Sequence, residues 1–163
     1  MGDATHQPQP PRIEPPLGMY PGRLDDRGRV KLPANFLQYF GALGETRFFV
    51  TSLDRRIAQI YPMAVWRQNE KFFADYREDP KVARKVAFNA ADLGAEAEMD
   101  AQGRILFSPE LRRALDIENA PVHLFAYRGR IEVLGEKEYE ERKREASATA
   151  PEDVAKLEAA GLV

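Results

Sequence analysis

Basic side chains cluster in one short stretch of the sequence, where Arg27, Arg29 and Lys31 alternate with Gly28 and Val30. Such cations can neutralise phosphates, and an arginine can also donate two hydrogen bonds to the edge of a guanine. Arg29 is the better candidate for reading a base, and Arg27 for binding a phosphate. These residue types can therefore bind a nucleic acid, although taken alone they favour a role in stabilising a turn.

The cluster contains a motif in which an aspartate is followed, after two free positions, by Gly-Arg. The motif occurs twice, 75 positions apart, as Asp25–Arg29 and as Asp100–Arg104. Glycine can take the positive φ of a tight turn between strands, and an aspartate that opens a turn can accept hydrogen bonds from the N–H groups after it. The residues predicted to organise the two turns are Asp25, Gly28, Asp100 and Gly103. Two copies with the same spacing indicate a duplicated unit.

The composition is that of a soluble globular protein, because 44% of the 163 residues are apolar and 31% are charged. A net charge of −2 does not by itself indicate nucleic-acid binding, but the charges are uneven, and the segment Leu17–Arg47 carries a local excess of two positive charges. No signal peptide and no apolar run of membrane-spanning length is found, so we expect a cytoplasmic protein without a membrane partner.

Several classes of functional site are not predicted. The chain has no cysteine, and His6 and His123 are isolated from other metal-ligating residues. No nucleophile elbow, phosphate loop or dinucleotide fingerprint is present. We therefore predict no catalytic residues, no metal, no cofactor, no small-molecule substrate and no enzymatic activity.

The elements that must position the turns follow the same order twice: strand, turn, strand, helix, hairpin, helix. In the first copy, Tyr20–Leu24 and Arg29–Leu32 are predicted to form a hairpin, and Pro33 begins a short helix. In the second copy, the strand Arg104–Phe107 leads into a helix with Ser108 as its N-cap. A lone unit of about 45 residues is too small to be stable, so the two units should share one core.

The predicted organisation divides the chain into five segments. They are a disordered Pro-rich arm (1–16), a first unit (19–64), a helical connector (65–93), a second unit (94–137), and a C-terminal helix with a polar tail (138–163). From Ala146 onward, a solvated tail is favoured over a terminal helix that ends at Gly161. We predict an α+β, β-rich fold in which the two units form one pseudo-twofold, β-barrel-like domain with short helices.

The stretch Asp25-x-x-Gly28-Arg29-Val30-x-Leu32-Pro33 resembles the hairpin signature of the SpoVT/AbrB swapped-hairpin DNA-binding domains. Two copies of it, with Ile60-Tyr61-Pro62-x-x-x-Trp66 closing the first, resemble the MraZ family. The resemblance extends from about Leu17 to Tyr139. It departs from the family's pattern where Leu17 and Leu37 stand at positions that are commonly arginine.

The resemblance implies a transcriptional regulator that binds short direct repeats in double-stranded DNA. These repeats lie in the promoter region of its own gene, upstream of the division and cell-wall gene cluster. It also implies a homo-oligomeric ring associated with the nucleoid, and it places the DNA contacts on the Asp-x-x-x-Arg motif. Asp25 is expected to orient Arg29 rather than to touch DNA, since a carboxylate repels phosphate. The candidate DNA-contacting residues are Arg29, Arg27, Lys31, Arg104 and Arg23.

Two alternatives remain open at this level. Each Asp–Arg pair could serve only to stabilise its turn, and this applies to Arg104 more than to Arg29 because the second turn is less basic. The whole protein could also be an oligomer that binds another protein, antitoxin-like or scaffolding, without binding an operator. The arginines lost at positions 17 and 37 slightly favour this alternative.

Overall fold

The computed structural model describes residues 13–163. Residues 13–17 precede the first strand without regular secondary structure. The prediction of a disordered arm over residues 1–16 falls mostly on residues 1–12, which lie outside the described part of the chain.

Eight strands and six helices make up the described residues, so the fold is a mixed one of helices and antiparallel sheet. The strands are β1 (Gly18–Arg23), β2 (Arg29–Lys31), β3 (Arg47–Thr51), β4 (Ala58–Pro62), β5 (Ala95–Glu98), β6 (Arg104–Leu106), β7 (Pro121–Tyr127) and β8 (Arg130–Gly135). The helices are α1 (Ala34–Leu43), α2 (Met63–Asp75), α3 (Pro80–Leu93), α4 (Pro109–Leu115), α5 (Glu136–Ala148) and α6 (Ala150–Ala160).

Six of the strands form one antiparallel sheet in the order β1-β7-β8-β4-β3-β5. The expectation of a barrel is wrong, because this sheet is open: β1 and β5 are its edges and do not pair with each other. The chain leaves each edge strand through one of the Asp-Gly-Arg turns and enters β2 or β6. These two strands pair only with each other, so they form a separate two-stranded ribbon instead of closing the sheet.

The predicted hairpin around the first turn forms only directly next to the turn. Leu24 and Val30 make an isolated bridge, but β1 pairs along its length with β7 and β2 pairs with β6. Each arm of the turn thus finds its partner far along the chain. The strand segments were predicted to within a few residues, whereas their pairing could not be derived from local turn chemistry.

Reciprocal hydrogen bonds continue the ribbon beyond its three paired residues. The N–H of Phe107 donates to the carbonyl of Gly28 at 2.8 Å, and the N–H of Leu32 donates to the carbonyl of Gly103 at 2.9 Å. The two donors, Phe107 and Leu32, are 75 residues apart in the sequence, and so are the two acceptors, Gly28 and Gly103. The two copies of the motif are therefore joined in a symmetrical manner.

One core lies beneath the ribbon and the large sheet. From the first copy it receives Phe36 and Phe40 of α1, and from the second copy Leu111 of α4, all of them buried. The helix starts follow from local sequence. Ser108 caps α4 as predicted, since its hydroxyl accepts from the N–H of Leu111 at 3.2 Å. A smaller cluster around Trp66, which stacks on Phe49, holds α2 against the sheet.

The C-terminal residues differ from the solvated tail that the sequence favoured. They form α6, which buries no residue, is exposed over 151–160 and has its last turn closed by the N–H of Gly161. No helix within residues 13–163 is long and apolar enough to span a membrane.

The central residues of the ribbon should determine the stability of the fold. Ile105 is fully buried opposite Val30, so we expect Ile105→Ala to lower the free energy of unfolding by about 2–5 kcal/mol. Leu106→Ala is the matched control, because this neighbouring side chain is 53% exposed and its removal should change stability by no more than about 0.5 kcal/mol. Urea denaturation followed by circular dichroism measures both. Equal losses in the two variants would contradict the inward orientation of Ile105.

Candidate nucleic-acid interface

The first turn is held by the carboxylate of Asp25. Its Oδ1 accepts from the backbone N–H groups of Arg27 and Arg29, both at 2.9 Å, and its Oδ2 accepts from the Nε of Arg29 at 3.3 Å. Gly28 takes a φ of 78°, a conformation that residues with a side chain rarely adopt. The aspartate thus fixes the turn and the direction of the arginine with one side chain.

The second turn has the same geometry. Oδ1 of Asp100 accepts from the N–H groups of Gln102 and Arg104 at 2.9 Å, and Oδ2 accepts from the Nε of Arg104 at 2.8 Å. Gly103 has a φ of 77°. Asp100 and Gly103 therefore build the second turn in the same way as Asp25 and Gly28 build the first.

The hydrogen bonds to each carboxylate favour its charged form. The pKa of Asp25 lies below its ordinary value of 3.8, chiefly because the N–H of Arg29 donates to it. The pKa of Asp100 is lowered in the same way, chiefly by the N–H of Arg104. Both aspartates are therefore ionised at neutral pH, and each offsets part of the charge of its arginine.

The ribbon presents four side chains on its outer face. Along each strand the central residue, Val30 or Ile105, points into the core, while the residues on either side of it point outward. Register places Arg29 opposite Leu106 and Lys31 opposite Arg104. Three cations from two distant parts of the chain are thus brought onto one surface about two strands wide.

The charges on this face are unusual for a ribbon that serves only as structure. Lys31 lies directly across from Arg104, and like charges in this position destabilise a strand pair. Within residues 13–163, Asp25 pairs with Arg29 at 3.3 Å and Asp100 pairs with Arg104 at 2.8 Å, whereas Lys31 forms no salt bridge. An external anion on this face would relieve the repulsion.

The remaining predicted cations occupy different places. Arg27 is exposed at the tip of the first turn, between Asp26 and Gly28. Arg23 lies on β1, where its guanidinium donates to the carbonyl and side chain of Asn119 at 2.8 Å and 3.2 Å. The structure therefore brings Arg29, Lys31 and Arg104 together, places Arg27 beside them, and attaches Arg23 to a neighbouring loop.

Two contacts of the turns were missed from the sequence. Leu37 of α1 covers Gly103, and a Cβ at that glycine would lie 2.8 Å from Cδ2 of Leu37. Arg112 of α4, at the equivalent position, covers Gly28 so closely that a Cβ there would overlap its guanidinium. Each helix thus packs on the turn of the other copy. Gly28 and Gly103 are 75 residues apart, as are Leu37 and Arg112, and this equal spacing was the sequence signal that could have revealed both contacts.

Within residues 13–163 no group of three or more acidic or histidine side chains is arranged to hold a metal ion. His123 stacks on Tyr139 at 3.6 Å between ring centroids, and its Nε2 lies 3.2 Å from Glu136. These contacts attach α5 to β7.

The aspartate turns should make stability depend on pH in the acid range. Because both carboxyl pKa values are lowered on folding, their contribution is complete above the ordinary value of 3.8 and is lost as the pH falls through the lower folded values. We expect Asp25→Asn/Asp100→Asn to lower the melting temperature at neutral pH and to flatten its fall below pH 3.8. Asp26→Asn, a neighbour whose carboxylate makes no hydrogen bond in the described residues, is the control. An unchanged acid profile in the double variant would refute this assignment.

Comparison with known proteins places the chain among named relatives, although no protein-family model matches it. A protein named Transcriptional regulator MraZ from Acidobacterium capsulatum is 30% identical over 141 residues, which span 86% of this chain and 96% of that relative. Proteins of the same name from Koribacter versatilis and Moorella thermoacetica are 32% and 29% identical, over 75% and 80% of this chain and 77% and 88% of their own lengths. Identity at this level across most of both sequences shows that the chain belongs to the MraZ family.

Proposed function

We propose that this protein is a DNA-binding transcriptional regulator whose contact surface is the outer face of the β2–β6 ribbon. The observation that carries the proposal is the placement of Arg29, Lys31 and Arg104 on that one face, in a chain whose relatives are named transcriptional regulators. Arg27 extends the same cationic surface at the first turn. Arg23, attached to Asn119, is the weakest of the proposed contacts.

The dimensions of the ribbon suit the major groove of DNA. Three residues per strand span about 10 Å, and two strands lie about 4.8 Å apart. The major groove is about 12 Å wide and admits a two-stranded ribbon. Asp25 engages the Nε of Arg29, so the two Nη atoms can bind O6 and N7 of a guanine while Arg27 binds the backbone.

The more specific parts of the proposal come from the family resemblance. The two copies of the motif form tandem SpoVT/AbrB-type units over residues 19–64 and 94–137, separated by the connector 65–93, with residues 138–163 as a C-terminal extension. The protein is a repressor of the division and cell-wall gene cluster, binds short direct repeats in its own promoter region, and is associated with the nucleoid in the cytoplasm. The reciprocal bonds between Gly28 and Phe107 and between Gly103 and Leu32 support the tandem arrangement.

A ring of several copies forms the functional assembly in this proposal. Each chain offers only a small basic surface, and linked copies on successive repeats would gain avidity without new contacts. Helices α2 and α3 offer a surface for such contacts, because Phe72 is 60% exposed and Phe88 is 65% exposed. Large aromatic side chains of this exposure are suited to burial against another copy.

A second candidate is an oligomer that binds another protein, antitoxin-like or scaffolding, through the same face without binding an operator. The observation that favours it is the exposed Leu106 among the cations of the ribbon, since interfaces with proteins bury apolar side chains at their centre. DNA binding by the wild-type protein distinguishes the two candidates directly.

The DNA-binding proposal is tested with a duplex from the region upstream of the protein's own gene. We expect binding by fluorescence anisotropy at low salt. Arg29→Lys keeps the charge but loses the planar fork, so its affinity should fall about 5- to 150-fold. Arg84→Ala, which removes an exposed charge on α3, should bind as the wild type does. Absence of wild-type binding at low salt would refute the regulator and favour the protein-binding candidate.

The salt dependence separates phosphate contacts from base contacts. Arg27→Ala should lower the slope of log K against log salt concentration by about 0.9, because one phosphate is no longer neutralised. The same measurement on Arg84→Ala should leave the slope unchanged. If the two variants have equal slopes, Arg27 is not a phosphate contact.

The proposed assembly is tested by measuring mass in solution. We expect Phe88→Ser to reduce the oligomer seen by size-exclusion chromatography with light scattering, since a buried aromatic contact would be lost. Leu157→Ser removes an apolar side chain of similar exposure, 56%, from α6 and serves as the control. A wild-type mass for Phe88→Ser, or a monomeric wild-type protein, would contradict the α2–α3 interface.

A further inference from the structure

The outer face of the ribbon is not symmetrical, although the bonds that build it are. Arg29 and Arg104 occupy equivalent positions 75 residues apart, but the other equivalent pair consists of Lys31 and Leu106. The face therefore has three cationic positions and one apolar one. Leu106 is 53% exposed, whereas Ile105 and Phe107 on either side of it are fully buried.

The backbone around Leu106 is fixed on both sides. Its strand neighbour is Arg29, and the next residue, Phe107, donates its N–H to the carbonyl of Gly28 at 2.8 Å. Leu106 is thus held beside the first turn, at the corner of the ribbon that carries Arg29. A single exposed leucine is ordinary on a protein surface, so its exposure alone indicates nothing. What distinguishes Leu106 is its position within the cationic face, directly across from the arginine proposed to read a base.

The major groove offers one apolar feature that a leucine can recognise. Thymine carries a C5-methyl group there, and apolar side chains distinguish it from cytosine by contact with that methyl. Lysine or arginine at position 106 would instead seek phosphate or guanine. An exposed leucine on a surface that enters the groove therefore fits a thymine and gains no hydrogen bond from any other base.

We propose that Leu106 is a specificity-determining residue that packs against the C5-methyl group of a thymine; this inference rests on the proposed DNA binding by the ribbon. Side chains opposite each other on paired strands have Cβ atoms about 4.5–5.5 Å apart, and successive base pairs are about 3.4 Å apart. Arg29 and Leu106 accordingly address neighbouring base pairs, the first a guanine and the second a thymine. Lys31, at the equivalent corner, contributes charge without this preference.

The test uses a chemical change in the DNA that removes only the methyl groups. The duplex from upstream of the gene is prepared with thymidine and, separately, with deoxyuridine in its place. For the wild-type protein we expect affinity to fall about fourfold or more on the deoxyuridine duplex, the factor that corresponds to one buried methyl group. For Leu106→Ala the ratio of the two affinities should approach one. Lys31→Ala, the matched control at the equivalent position, should bind both duplexes more weakly and keep the wild-type ratio.

The possible outcomes distinguish the role of Leu106 from the proposed DNA binding on which it rests. A wild-type ratio of one, or a ratio that Leu106→Ala leaves unchanged, would overturn the role of Leu106 while DNA binding by the ribbon stands. Wild-type protein that binds neither duplex at low salt would refute DNA binding and this inference with it. If Leu106→Ala lowers the oligomer mass and leaves the ratio unchanged, the leucine belongs to a contact between copies, and thymine recognition is refuted.

Discussion

The exchange of backbone hydrogen bonds between β2 and β6 is the interaction on which the rest of the structure depends. Each strand has only three paired residues, and a two-stranded ribbon of that length is not stable in water by itself. It persists because Val30 and Ile105 are buried beneath it and because Gly28 and Gly103 accept bonds at its two ends. The large sheet closes the same core from the other side and, through β1 and β5, fixes the chain before each turn.

Local electrostatics then set the direction of the exposed cations. Asp25 and Asp100 each occupy one carboxylate oxygen with the backbone of the turn and the other with the Nε of an arginine. A long side chain that is fixed in this way loses less conformational entropy when it binds a ligand. The turn and the cationic face of the ribbon are therefore products of the same interaction, since the aspartate that closes the turn also orients the guanidinium.

Much of this arrangement could be predicted from the sequence, and the parts that could not have a common cause. The turn motif, its duplication and the segments of most strands follow from residue types and short spacings, and Ser108 is recognisable as a helix cap. The pairing of strands cannot be predicted in this way, because the local sequence of β1 is the same whether its partner is β2 or β7. The open sheet, the contact of Arg112 with Gly28 and the position of Leu106 opposite Arg29 all depend on which distant strands meet. Similarly, α6 forms without burying any residue, so no hydrophobic pattern marked it clearly.

The cationic face of the ribbon can form only after both of its strands have been synthesised. Arg29 emerges from the ribosome early, but the strand that supports it cannot form until Arg104–Leu106 has been made. At about 5–20 residues per second, the intervening chain takes several seconds to appear. During that time the first turn has no paired strand and no buried layer beneath it. A truncated product that ends before β6 therefore carries every cation of the first turn but lacks the ribbon that presents them on one face.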